Sequence, residues 1–209
     1  MRFSILLPTR NRPEMLRRAV GSVLAQDFAD WELIVFDNGE TVPIFTDDRR
    51  VRWIRGRATG PADAFAQALG WASGEIVHPL GDDDELAPGA LSAVDAGIGR
   101  YEWLVGRTRC TDEHGRVWLS GGPVDAAELE RVYYLGGAVY WRRALSERLG
   151  GFDRGYDGAA DFELYLRFAR NAPAAFLDRV LYLYNDHPDT DSRRNAARQR
   201  KASARIQAA

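Results

Sequence analysis

The residues best suited to chemistry are the carboxylates of Gly81-Asp82-Asp83-Asp84-Glu85, which follow directly on the apolar run from Glu75 to Leu80. Three adjacent carboxylates repel one another, and a bound divalent cation relieves that repulsion. Oxygen ligands of this kind suit Mg²⁺ or Mn²⁺, and Mg²⁺ in particular is usually held by one or two carboxylates together with substrate phosphates. The same run also reads as a solvated acidic loop whose charge favours the N-terminus of a helix starting at Pro88. Two more polar side chains close apolar runs: Thr9 after FSILLP and Asp37 at the end of WELIVFD. Asp161 stands in the first turn of a helical run, where a carboxylate is ordinary. His187 follows Tyr182 and Tyr184 at the close of a strand-like run, whereas His78 and His114 read as structural and Trp141 as core.

These groups need elements to position them. Strands are predicted over Phe3–Pro8, Trp31–Asp37, Val51–Arg55 and Glu75–Leu80. Helices are predicted over Pro13–Gln26, with Pro13 in the first turn, and over Ala62–Ala72, closed by Gly74. Alternating strands and helices make a parallel sheet covered by helices. Such sheets bind ligands at the carboxyl ends of their strands, so Thr9, Asp37 and the run after Leu80 are expected to converge on one crevice. The second half is less regular. A helix over Pro88–Ile98 leads to a strand over Trp103–Cys110, and Asp112-Glu113-His114-Gly115 forms a hairpin turn returning through Arg116–Leu119. Helices over Arg143–Leu149 and Ala160–Arg170 and a strand over Ala175–Tyr184 complete it. The segment from Asp191 carries Arg193, Arg194, Arg198, Arg200, Lys201 and Arg205, and reads as a helix or a disordered basic end.

The chain has 209 residues with 28 Lys+Arg against 30 Asp+Glu, a balance that argues against a protein that coats nucleic acid. Its single cysteine, Cys110, makes no internal disulfide and no cysteine-based zinc site, consistent with a cytoplasmic setting. No run reaches the roughly 18 to 20 apolar residues that cross a bilayer, and Phe3–Leu7 turns polar too soon for a signal-peptide core. Lys201 is the sole lysine, so any anion site here is built from guanidinium groups or backbone amides.

Four segments together carry a resemblance: FSILLPTRNRPEMLRRAVGSVLAQDFADWELIVFDNG, ASGEIVHPLGDDDELAPGAL, GGFDRGYDGAADFELYLRFAR and YNDHPDTDS. In this order they resemble the opening, metal-binding, base-bearing and closing segments of family 2 glycosyltransferases with the GT-A fold, from Phe3 to about Ser192. The resemblance implies an α/β fold: a single GT-A domain with a mostly parallel, Rossmann-like sheet flanked by helices. Residues 1–192 would form that domain, with the nucleotide-sugar part in about 1–100 and the acceptor side in about 101–192, followed by a basic tail over 193–209. It further implies that Pro8, Thr9 and Arg10 hold the nucleoside, that Asp37 accepts the imide N–H of a uracil-type base, and that Asp82 contacts the ribose. Asp83 would bind Mn²⁺ or Mg²⁺, His187 would approach the metal or the pyrophosphate, and Asp161 would be the general base.

The implied activity is an inverting, metal-dependent transfer of a sugar from a UDP- or dTDP-linked donor to a hydroxyl acceptor, whether a glycan, a lipid-linked sugar or a small molecule. Membrane contact is expected to be peripheral at most, nucleic acid is not an expected partner, and the number of subunits is left open. This chain departs from the family pattern where Gly81 replaces a common Asp, where Ala160 precedes the base in place of Glu, and where Phe65-Ala66 replaces an Arg-Asn pair, with Arg57 as a conceivable substitute. The first departure leaves the metal register open between Asp83 and an Asp82/Asp84 pair. Two rival readings stand beside the transferase: a sugar-phosphate nucleotidyltransferase, against which the lack of glycines after Pro8 counts, and a catalytically silent sugar-nucleotide or glycan-binding protein.

Overall fold

A computed structural model describes residues 1–40 and 47–208. The opening half follows the apolar runs: β1 (Phe3–Thr9), α1 (Pro13–Leu24), β2 (Trp31–Asp37), β3 (Val51–Arg55), α2 (Pro61–Leu69) and β4 (Ile76–Pro79). In β1, Phe3, Ile5 and Leu7 pack on one face of the sheet against Leu16, Ala19, Val20 and Val23 of α1, while Leu6 packs on the other face with Ala62, Ala64 and Ala68 of α2. A strand buried on both faces must be apolar throughout, which is why these runs do not alternate. Helix α2 ends at Leu69, three residues short of expectation, because the Gly70 N–H turns back to the carbonyls of Ala66 and Gln67. Gly74 serves elsewhere: a side chain there would collide with the backbone of Phe3 and Ser4.

The chain continues through β5 (Glu85–Leu86), α3 (Ala90–Gly97), β6 (Trp103–Asp112), β7 (Val117–Ser120), α4 (Ala126–Arg131), β8 (Val139–Arg142), α5 (Arg143–Leu149), α6 (Ala160–Asn171), β9 (Ala174–Asp186), α7 (Asp191–Arg194) and α8 (Ala196–Gln207). The sheet runs in the order β3-β2-β1-β4-β8-β6-β9-β5, with β7 paired to β6. It is parallel from β3 to β4, as the alternation of strands and helices requires. Beyond β4 it becomes mixed, because β8 lies antiparallel to both β4 and β6 while β9 runs parallel to β6.

Strand β8 and helix α4 are absent from the sequence reading. Both are short; β8 runs into α5 with no intervening turn residue, whereas α4 does carry a start signal, Asp125, whose side chain accepts from the Ala127 and Glu128 amides. Trp141 of β8 is fully buried against Phe152, Tyr165 and Phe168, which confirms it as core. His78 is also structural: its Nδ1 faces the Val139 carbonyl at 2.9 Å, its ring stacks on Tyr140, and burial holds its pKa down to about 4. The segment after Asp191 is helical. Ala202 and Ile206 of α8 are buried in the same cluster as Phe162 and Leu166 of α6. No helix among the described residues is long and apolar enough to cross a membrane.

At the amino end of the sheet, Glu32 is 2% exposed and accepts from Ser4 Oγ, the Ser73 amide, Ser73 Oγ and Arg52 Nη1, each at 2.7 Å. Burial opposes its ionisation, but these donors outweigh burial and hold its pKa at about 2, against an ordinary 4.5. A carboxyl depressed on folding contributes its full stability above the unfolded pKa and loses it as pH falls through the folded one. The difference corresponds to roughly 3 kcal/mol. The expected result is that stability falls between about pH 4.5 and 2, and that Glu32→Gln flattens this slope while lowering neutral-pH stability by about 2–3 kcal/mol, read by denaturant unfolding across pH.

Candidate active site

The carboxyl ends of β1, β2 and β4 meet as expected. Thr9 lies opposite Asp37 in the β1–β2 register, and Thr9 Oγ1 donates to Asp82 Oδ2 at 2.7 Å. Pro8, Thr9, Arg10, Asp82 and Asp83 line a cleft of about 630 Å³ that also takes in Asn38, Pro61 and Phe65. Asp37 is fully buried and does not itself line the cleft. Its Oδ1 accepts from the Gly39 amide at 2.9 Å and its Oδ2 from Arg55 Nη2 at 3.3 Å. Asn38 fixes the facing loop, donating to the Ala58 carbonyl and accepting from the Ala58 amide. Arg57 is an exposed surface residue.

The acidic run is divided by what surrounds it. Asp82 and Asp83 both take Arg12 Nη1, at 3.2 and 2.9 Å, and Asp83 Oδ2 also meets His187 Nε2 at 3.2 Å. Asp84 turns the other way: its Oδ2 accepts from the Tyr182 hydroxyl at 2.7 Å and its Oδ1 from the Asn185 amide at 2.8 Å. With both oxygens engaged, Asp84 is not disposed to pair with Asp82 as a metal ligand. Burial, with Asp83 second, pushes the Asp84 pKa well up, and the same two causes raise that of Asp82. Burial opposes the charge on Arg12, but Asp82 and Asp83 outweigh it and raise the guanidinium's pKa.

Among the described residues no group of three or more metal-type side chains exists. Asp83 Oδ2 and His187 Nε2 nevertheless lie 3.2 Å from each other, with Arg12 Nη1 on the same carboxylate oxygen. Those two donors fit a divalent ion whose remaining positions are filled by phosphate and water, and the nitrogen favours Mn²⁺ over Mg²⁺.

Asp161 lies in the first turn of α6, in a second cavity of about 470 Å³ that shares Pro61, Phe65, Gly81, Tyr184, Asp191 and Ser192 with the cleft. Burial raises its pKa above the ordinary carboxylate range, moderated by a hydrogen bond from the Phe162 amide and by the nearby Tyr133 hydroxyl. Burial, with Asp161 beside it, pushes the Tyr133 hydroxyl well up, so it stays protonated and donates to the Gly136 carbonyl at 3.1 Å. The shared wall is braced by Arg198 of α8, which pairs with Asp157 and with Asp191 Oδ1. Asp157 in turn accepts from the Ala62 amide and so caps α2. Cys110 faces the same cavity, 5% exposed, with its Sγ 3.8 Å from Ser120 Oγ and its thiol pKa raised by burial.

Sequence reasoning placed Thr9, Asp82, Asp83, Asp161 and His187 around these two spaces but overlooked Arg12, Tyr133 and Asp191. For Arg12 a signal was present. Pro13 in the first helical turn makes Arg12 the N-cap of α1, and its side chain, unlike that of exposed Arg10, reaches the acidic run.

Comparison with known proteins bears on the family and the fold. The family model described as "Glycosyl transferase family 2" matches residues 4–150. A Campylobacter jejuni protein named GalNAc(5)-diNAcBac-PP-undecaprenol beta-1,3-glucosyltransferase is 36% identical over 102 residues, covering 44% of this chain and 33% of that protein. A Mycobacterium bovis protein named PGL/p-HBAD biosynthesis glycosyltransferase is 29% identical over 202 residues, covering 88% of this chain and 77% of that protein. The chain thus spans about a third of the Campylobacter relative but most of the mycobacterial one. Among solved structures, S. aureus TarS 1-349 in complex with UDP superposes with a TM-score of 0.69 at 19% identity, covering 100% of this chain and 64% of that one, a likeness of fold. With the family model covering most of its length and its carboxylates gathered at the strand ends that such a fold uses, the chain belongs to glycosyl transferase family 2.

Proposed function

We propose that this protein moves a sugar from a UDP- or dTDP-linked donor to a hydroxyl acceptor by a single displacement with inversion. The observation that carries the reading is the placement of Asp161: a carboxylate in a cavity that shares a wall with the cleft of Thr9, Asp82 and Asp83, while Asp84, which faces the same cavity, is tied to Tyr182 and Asn185. The nucleoside lies against Pro8, Thr9 and Arg10, with Asp82 on the ribose. Asp37 takes the imide N–H of the base once Arg55 yields Oδ2. Arg12, already between Asp82 and Asp83, keeps their charges compatible with an incoming diphosphate. A divalent ion held by Asp83 and His187 would neutralise charge developing on the leaving diphosphate.

Asp161 takes the proton of the acceptor hydroxyl as its oxygen bonds to the anomeric carbon and the bond from that carbon to the diphosphate oxygen breaks. Among the described residues no second carboxylate free to act as covalent nucleophile accompanies Asp161, since Asp84 is hydrogen-bonded away and Asp191 is paired with Arg198. Inversion follows from that. Incubation with UDP- and dTDP-sugars and Mn²⁺ is expected to release nucleoside diphosphate slowly by hydrolysis, and the NMR coupling constant at the anomeric proton of the first product is expected to show the configuration opposite to the donor's. Retention would remove the single-displacement mechanism, and nucleotide binding without release would favour the silent binding protein. If the acceptor is membrane-borne, contact with the bilayer is peripheral.

A further inference from the structure

The two cavities both carry carboxylates but differ in their basic residues. The nucleotide cleft is lined by Arg10, Arg12 and Arg194, whereas the cavity holding Asp161 has no arginine, lysine or histidine among its described lining residues. In a chain with 28 basic residues that partition carries information. Each carboxylate facing the second cavity is accounted for: Asp84 is held by Tyr182 and Asn185, Asp191 by Arg198, and Asp161 is the base. Its walls are aromatic, with Phe65, Tyr133, Phe152, Tyr165 and Tyr184 around the space and Trp118 at the rim. Trp118 pairs with Cys110 across the β6–β7 ladder, lines the cavity and is 36% exposed, so its ring is open to solvent at the rim.

Resting on the transferase reading, we propose that the acceptor is an uncharged, ring-bearing alcohol, with Trp118 as the ring it stacks on, and that acceptors bearing phosphate or carboxylate on the entering ring are excluded. The base must be ionised to act, and an acceptor anion beside it would meet like charge, while the wall arginine, Arg198, is already committed to Asp157 and Asp191. Aromatic walls contribute contact to flat apolar faces of either a phenol or a pyranose ring.

The test uses matched pairs differing in charge, phenyl β-glucoside against its 6-phosphate and 4-methylphenol against 4-hydroxybenzoate. Binding to the protein with UDP and Mn²⁺ present is measured by calorimetry and saturation-transfer NMR. At least about ten-fold tighter binding of the neutral member in one pair is expected, and the pair that responds tells whether the ring is a sugar or a phenol. Equal binding, tighter binding of the anion, or no binding of either neutral member by protein that still takes UDP would overturn the proposal. Loss of UDP binding itself would instead strike the transferase reading. Trp118→Ala is expected to weaken the neutral ligand about five-fold or more without altering UDP affinity, with recovery in Trp118→Phe; an unchanged affinity in the alanine variant removes Trp118 as the stacking ring.

Discussion

Asp161→Asn is expected to lower turnover by about 100- to 10,000-fold, the range contributed by a positioned general base, while UDP affinity is unchanged. The variant is also expected to melt at a higher temperature than the parent. Burial raises the Asp161 pKa in the folded chain. A carboxyl raised on folding contributes stability below its unfolded pKa and loses it as pH rises through the folded one, so at neutral pH the ionised group is a liability to the fold. Asparagine removes the charge yet keeps an oxygen for the Phe162 amide. In the parent, kcat/KM is expected to fall on the acid side at a pH above the ordinary aspartate range, because the base acts only when ionised. Unchanged turnover would remove Asp161 as the base, and a lowered melting temperature would contradict its charged burial.

Asp83→Ala is expected to abolish Mn²⁺-dependent UDP binding, weakening Mn²⁺ itself by more than the 10- to 100-fold typical of losing only a ligand's hydrogen-bond partner. Mn²⁺ titration by electron paramagnetic resonance reads this without reliance on turnover. The contrast is with Asp84→Asn. Because Asp84 faces Tyr182 and Asn185, that variant is expected to retain the parent's metal titration. If the two variants exchanged behaviour, the register assigned to the acidic run would be wrong.

The parallel half of the fold was legible because β1, β2 and β4 are largely apolar on both faces and α1 begins at a proline, signals that act within a few residues. The crevice followed from that topology alone, since Thr9 and the acidic run end neighbouring strands. The register among Asp82, Asp83 and Asp84 was not legible from spacing, because three identical side chains are distinguished only by partners more than 60 residues away in sequence: Thr9, Arg12, Tyr182, Asn185 and His187. Strand β8 was missed for a related reason. Its four residues are held between β4 and β6 by tertiary pairing rather than by local pattern. Helix α8 looked like a basic tail because its arginines dominate the composition, although Ala202 and Ile206 supply a narrow buried stripe and Arg198 finds its carboxylates only in the folded wall.

Cys110 turns the cavity of Asp161 into a chemically addressable chamber. It is the one thiol in the chain and it faces that cavity, so mass addition by a small alkylating reagent counts modification of one place only. Burial keeps the thiol protonated to higher pH than usual, which makes the labelling slow and adjustable through pH. An acceptor seated among the aromatic rings would shield the sulfur whereas UDP alone in the adjoining cleft would not, so the rate of alkylation becomes an occupancy gauge that needs no knowledge of which sugar is transferred.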